Sequence, residues 1–410
     1  MLQRPVARRS GALRQPWDRN VPLMPRLPSA VRDALVLAVA SRLVLAGVVW
    51  LALRIFPRFG LYPVQLPDSF FPGHPALDGW ARWDAAHYVA IAHVGYGDAN
   101  PSPHGGLGFF PLYPLLMRGL VELVRAEPTP AHLALAGLIV SNVAFGIVVA
   151  MIAWMGAHRF GDRVGKQAAL FLCVAPFSFF FNAAYTESLF LALSLIALAA
   201  GGHRRWWLAG LAAGLASATR LLGLALAPSL LVLAWKNRAR LHEAVGTALL
   251  SVSGAVMYGA YCWWQFGNPF AYFEAQSTWG GWNEHVRFYA ELFFLHPRQA
   301  LGGRPEDLIV LIDLIVALGY LALLPVVWRR LDPGLAMFST LIIVIQGALV
   351  WVSLGRYVLP AAGVYLAAAL LVTGDDDAPR WGWLRDPIVV GSSLLLSMLA
   401  MLYGLGFWVV

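Results

Sequence analysis

Charge is scarce in this chain. Asp, Glu, Lys and Arg make up 13% of its 410 residues and apolar types make up 59%, against roughly 25% and 45–50% in soluble domains. That balance excludes an ordinary soluble domain and indicates an all-α polytopic membrane protein. Cysteine is nearly absent. Cys173 and Cys262 both fall inside apolar stretches, where they read as buried thiols rather than as a disulfide or zinc ligands. There is no Walker A sequence, no G-x-G-x-x-G at a strand-to-helix turn, no H-E-x-x-H and no Cys/His cluster at zinc spacing. The local signatures of phosphate-loop, dinucleotide and zinc chemistry are therefore missing, and neither a cofactor nor a metal is expected. The net charge is +8, but the basic residues flank apolar stretches, so nucleic acid is not an expected partner. Asp375-Asp376-Asp377 reads as a solvated turn.

Eleven apolar segments are present: 34–53, 131–155, 167–183, 186–200, 206–219, 221–235, 244–266, 308–328, 334–352, 357–373 and 388–409. About 20 residues cross a bilayer as helix. Residues 1–30 hold no apolar run and read as a disordered basic tail, and residues 31–410 as one integral-membrane domain. No A-x-A-like cleavage site follows the first segment, which reads as an uncleaved anchor. With a cytosolic N-terminus and alternating sides, nineteen Lys and Arg fall on the cytosolic side and ten on the outer side, as the positive-inside bias requires. The outer side then holds two long loops, 54–130 and 267–307. The second carries Trp279, Trp282, Phe288, Tyr289, Phe293 and Phe294, an interfacial belt or a wall for sugar or lipid. The stretch Phe109 to Val124 is amphipathic and is expected in the interface plane. The four segments between 167 and 235 are too short for a full span, and their outer turns, Tyr185-Thr186-Glu187 and Thr219-Arg220, are expected to line a wet recess or a thinned bilayer.

The main polar island is Trp83-Asp84-Ala85-Ala86-His87-Tyr88 in the first long loop. Asp84, His87 and Tyr88 stand at i, i+3 and i+4, one face of a helix. A carboxylate there has the chemistry of a general base toward an acceptor hydroxyl, with Arg82 as a neighbouring cation. His87 and His93 read equally as interfacial histidines. Glu187 and Asp313 are acids at or inside apolar segments, where ionisable groups face a cavity or a partner. Arg220 and Arg356, the latter beside Tyr357, stand at outer ends of segments. They either snorkel to headgroups or fork onto a phosphate.

These elements resemble those of the PIG-V-like mannosyltransferases. Trp83-Asp84-Ala85-Ala86-His87-Tyr88 is similar to the family's W-D-x-x-H/Y-aromatic signature, and Phe109-Phe110-Pro111-Leu112-Tyr113-Pro114 to its F-F-P-L-x-P segment. Tyr185-Thr186-Glu187-Ser188-Leu189-Phe190, Ala218-Thr219-Arg220, and Gly355-Arg356-Tyr357 with Pro360 resemble its later elements in order. The resemblance implies a GT-C glycosyltransferase fold, a multi-span bundle with its site on the non-cytoplasmic face, and the eleven apolar segments give it about eleven spans. It also implies an inverting transfer of mannose from a polyprenyl-phosphate donor to a lipid or glycan acceptor, with Asp84 at the catalytic aspartate position. Arg356, Arg220 and Tyr357 are then expected to hold the donor phosphate. Trp83, His87, Tyr88, Tyr185 and Glu187 are expected to bind substrate or support the site. The Ala-, Arg- and Gly-rich composition suggests a bacterial plasma membrane with the site facing outward, or an ER membrane with a lumenal site if the source is eukaryotic. Two other readings remain open: transfer of arabinose or glucose, and a lipid or solute transporter without chemistry. Against the transporter, no internal repeat is visible.

Overall fold

The computed structural model describes residues 29–58, 69–277, 305–349, 353–374, 381–407 and 409. The basic tail, the aromatic run of the second long loop and the Asp375–Asp377 turn lie outside the described residues. Among the described residues the secondary structure is helical, without strands. The chain runs through α1 (Ser29–Ile55), α2 (Pro75–Asp78), α3 (Asp84–Val94), α4 (Leu112–Leu123), α5 (Pro130–Phe160), α6 (Asp162–Val174), α7 (Glu187–Gly202) and α8 (Trp206–Ser217). It continues through α9 (Leu226–Lys236), α10 (Leu241–Phe266), α11 (Ala271–Gln276), α12 (Pro305–Arg330) and α13 (Pro333–Leu349). The last three are α14 (Leu354–Val358), α15 (Gly363–Thr373) and α16 (Arg385–Leu405).

A helix occupies each of the eleven apolar segments, and the protein is an integral membrane protein. Five helical stretches are long and apolar enough to cross a membrane: Ser29–Ile55, Pro130–Phe160, Leu241–Phe266, Leu308–Arg330 and Gly382–Leu405. Shorter apolar helices lie between them, among them Glu187–Gly202 and Trp206–Ser217. The long helices turn large apolar side chains outward, as at Val39 and Leu43 of α1 and Val256 and Met257 of α10. Of the short ones α7 is packed inside and buries Glu187, Phe190, Leu191 and Leu195, whereas α8 exposes Trp207 and Leu211.

Small residues set the closest helix crossings. A Cβ on Gly254 of α10 would overlap the Gly214 carbonyl of α8, so these two helices meet backbone to backbone. Arg42 of α1 lies within a span and has no carboxylate partner among the described residues. Its guanidinium donates to the Cys173 carbonyl at 2.8 Å and to the Ser178 carbonyl at 3.2 Å, and it stacks 4.4 Å from the Phe145 ring centre. It satisfies the Cys173 carbonyl in the last turn of α6, the end where a cation is favoured, and the Ser178 carbonyl in the turn that follows.

The amphipathic segment behaves as its pattern requires on one face. In α4, Tyr113, Met117 and Val121 at i, i+4 and i+8 are buried, while Leu115 and Leu123 are exposed. That face packs on α3 and α5. Just upstream of α3, Asp78 organises the loop. Its Oδ1 accepts from Ser69 Oγ at 2.8 Å and from the Phe70 amide at 3.0 Å, and its Oδ2 pairs with Arg58 and Arg82 at 2.9 Å.

Candidate active site

Four charged side chains from four separate segments meet. Asp84 opens α3, Glu187 opens α7, Arg220 follows α8, and Arg356 lies in α14. Arg356 Nε donates to Glu187 Oε1, and Arg220 Nη1 donates to the same oxygen at 2.6 Å. Arg356 Nη1 lies 2.8 Å from Asp84 Oδ2, yet it makes no well-aligned hydrogen bond among the described residues, so this contact is one of charge rather than of directed bonding. Two carboxylates and two guanidiniums balance, which keeps the cost of burying four charges tolerable. Their exposures differ: the Asp84 side chain is 23% exposed, Arg220 12%, Arg356 2% and Glu187 0%. Asp84 is the most open of the four.

Aromatic rings complete the wall. The Arg356 guanidinium carbon lies 4.4 Å from the Tyr185 ring centre, 5.1 Å from Phe180 and 5.3 Å from Tyr357, and that of Arg220 lies 5.0 Å from Tyr357. Rings at these distances attract a cation while excluding water. Arg220 also donates to Thr186 Oγ1 at 3.2 Å, and Tyr88 OH lies 3.4 Å from the same hydroxyl.

The backbone around Asp84 is tightly held. Tyr185 OH accepts from the Asp84 amide at 3.2 Å and donates to the Arg82 carbonyl at 3.0 Å. Tyr403 OH, from the last helix, exchanges hydrogen bonds with the Arg82 amide and carbonyl at 3.3 Å. Between them Trp83 has φ 53° and ψ −118°, a left-handed conformation costing about 1–3 kcal/mol in a non-glycine residue. Such strain persists only when the surroundings over-determine it, and here two buried tyrosines do so. The carboxylate of Asp84 also sits in the first turn of α3, where the helix dipole favours a negative charge.

The other expected residues divide. Tyr88 and Tyr185 are packed against the cluster, and burial raises the Tyr88 hydroxyl well above its ordinary value. His87 is 3% exposed, stacks on Phe109 at 4.7 Å and lies 2.9 Å from Ser102 Oγ. Burial pushes its imidazole below the usual value, with Asp84 pulling the other way. Arg82, expected as the cation beside Asp84, instead pairs with Asp78, and Arg356 is the cation beside Asp84. His93 turns to the Pro128 carbonyl at 2.9 Å. Sequence reasoning missed Phe180, Tyr403 and Tyr272, of which Tyr272 is half-buried within electrostatic reach of Tyr357 and Arg220. Among the described residues no three His, Cys, Asp or Glu side chains converge as metal ligands would.

The sequence model of the family described as mannosyltransferase (PIG-V) matches residues 73–272. Mouse GPI alpha-1,6-mannosyltransferase 2 is 31% identical over 232 residues, 51% of this chain and 45% of the mouse protein. The human protein of that name is 31% identical over 171 residues, 40% of this chain and 33% of its own. The chain thus spans less than half the length of these relatives. Among solved structures, an oligosaccharyltransferase of Archaeoglobus fulgidus is similar with a TM-score of 0.49 and 15% identity, over 91% of this chain and 53% of that one. ArnT from Cupriavidus metallidurans follows with a TM-score of 0.41 and 16% identity, over 92% and 76%. The matched segment, which carries Asp84, Glu187 and Arg220, is similar to the PIG-V family of mannosyltransferases, the family that its motifs resemble.

Proposed function

We propose that this protein is an inverting mannosyltransferase of GT-C architecture that takes mannose from a polyprenyl-phosphate donor on the non-cytoplasmic face of the membrane. The observation that carries the reading is the meeting of one partly exposed carboxylate, Asp84, with two guanidiniums against aromatic rings. Asp84 takes the proton of the acceptor hydroxyl as that oxygen bonds to the sugar's anomeric carbon. The bond from that carbon to the phosphate oxygen breaks, and polyprenyl phosphate leaves with the electron pair. Arg356 and Arg220, each with N–H groups not aimed at Glu187, stabilise the charge that develops on the phosphate. Glu187, completely buried and bound to both arginines, orients them and is not the base.

Asp84 and Arg356 touch before substrate arrives. A donor phosphate competes for the Arg356 guanidinium and loosens the poorly aligned contact, which releases Asp84 toward the acceptor. A donor that is already membrane-borne fits a site built between spans, and the aromatic walls suit a sugar face. The acceptor is a lipid or glycan.

The test is transfer in proteoliposomes, with tritiated mannose on a short polyprenyl phosphate as donor and an octyl α-mannoside as acceptor. The expected result is a mannosyl product of inverted anomeric configuration together with stoichiometric polyprenyl phosphate. Transfer from a sugar nucleotide alone, or of glucose or arabinose in preference to mannose, would overturn the donor assignment.

A further inference from the structure

Asp313 is a buried acid that the reaction above does not use. It lies in α12, is 2% exposed, and has no ion-pair partner among the described residues. Its Oδ1 accepts the Gly355 amide at 3.0 Å. That amide lies in the first turn of α14, the five-residue helix that carries Arg356. Ser353, which precedes α14, has φ 67° and ψ 23° and makes no side-chain cap of its own. A Cβ on Gly355 would lie inside contact distance of the Phe177 ring and of the Asp313 carboxylate. So short a helix has no cooperative stability by itself. Its orientation is set from outside, by Asp313 on one side and by the ring beneath Gly355.

We infer that Asp313 is a positioning residue, which fixes the turn Ser353–Arg356 by holding the Gly355 amide and so aims the Arg356 guanidinium at the site. This rests on Arg356 holding the donor phosphate. It also answers why a carboxylate persists inside a span without a cation: its partners are backbone dipoles rather than a charge. An Asn at 313 keeps one oxygen to accept from Gly355 but loses the second acceptor and the charge at the start of α14. An Ala loses all three.

The test is a kinetic cycle on the full chain in proteoliposomes. Asp313→Asn is expected to keep cooperative thermal unfolding and an unchanged KM for the octyl α-mannoside. Its kcat/KM for the polyprenyl-phosphate donor should fall about 10–100-fold, the scale on which a misplaced binding group costs rate, and Asp313→Ala should fall further. In an Arg356→Lys background the same Asp313→Asn change should cost less than about threefold, because its effect runs through the guanidinium. An undiminished penalty there, or an equal rise in both KM values, would overturn the inference. Gly355→Ala, which pushes the same turn from the other side, provides a second arm. It should also lower donor kcat/KM while leaving the acceptor KM alone, and wild-type donor kinetics for it would count against the inference. If Arg356→Lys by itself leaves donor kinetics at the wild-type level, the phosphate assignment fails instead, whatever the cycle shows.

Discussion

Removing the charge of Asp84 separates chemistry from folding more cleanly than any other single change in this site. In Asp84→Asn the side chain keeps its shape, and the backbone bond to Tyr185 OH is untouched because it uses the amide. The Asp84 side chain is 23% exposed and its contact with Arg356 is poorly aligned. Partly exposed pairs of this kind contribute about 0–1 kcal/mol to stability. Arg356 still has Glu187, so no buried guanidinium is stranded. The stability cost should stay within about 1 kcal/mol, a shift of only a few degrees in Tm for a chain of this size. The rate cost is that of a lost general base, about 10²–10⁴-fold, or about 2.7–5.4 kcal/mol of barrier. Glu187→Gln is the contrasting change. It weakens the acceptor shared by two buried arginines, and breaking such a pair costs about 3–5 kcal/mol of stability. Mannosyl transfer and thermal unfolding, measured on the same proteoliposome preparations, distinguish the two. Asp84→Asn should be folded and inactive, and Glu187→Gln should be unstable. Transfer by Asp84→Asn within threefold of wild type would remove Asp84 from the mechanism, and a loss of stability equal to that of Glu187→Gln would make it a structural partner instead.

Arg356→Ala should raise the donor KM and Arg356→Lys should recover only part of it, since an ammonium cannot reproduce a two-pronged contact; equal donor affinity in Arg356→Ala and wild type would shift the phosphate role to Arg220. Transfer should continue in EDTA at undiminished rate if the two guanidiniums neutralise the phosphate, and loss of activity restored by Mg²⁺ or Mn²⁺ would refute that. For sidedness, both native cysteines are buried, so introduced ones report cleanly. Ala99→Cys should react with an impermeant thiol reagent in intact cells or spheroplasts and Arg205→Cys only after permeabilisation, and the reverse pattern would put Asp84 on the sugar-nucleotide side.

The helices, and the acids and bases worth watching, were legible in the sequence because both follow from local pattern. Apolar runs locate the helices, and a charge inside such a run stands out. Partner choice was not legible. Arg82 lies two residues from Asp84, so proximity in sequence suggests that pair. In the structure Arg82 turns to Asp78, one helical turn away at i,i+4, and leaves Asp84 to an arginine from the other half of the chain. Nothing local to residue 84 encodes that choice. It depends on where the bundle brings the start of α7 and the short α14 relative to α3, and therefore on the whole fold. Tyr403 was missed for the same reason: a single tyrosine in the last apolar helix carries no mark of the backbone segment it will hold.

The two tyrosines and Asp313 give the site a common logic. Three of its four charged side chains sit on or next to the least regular pieces of the chain: Asp84 directly after the strained Trp83, Arg220 in the turn after α8 and Arg356 in the five-residue α14. Each piece is pinned by a buried polar group from a neighbouring helix. Tyr185 and Tyr403 fix the peptide units around Asp84, Asp313 fixes those before Arg356, and Thr186 and Glu187 fix Arg220. Irregular backbone inside a membrane protein is tolerated only where its amides and carbonyls are satisfied or wet. Here the polar groups that satisfy it also limit the freedom of Asp84 and Arg356. The cluster is therefore largely fixed by the protein itself, apart from the one weakly aligned contact between Asp84 and Arg356. On the proposed mechanism a donor phosphate would have only that contact to displace, which favours a pre-organised electrostatic site over one assembled by closure.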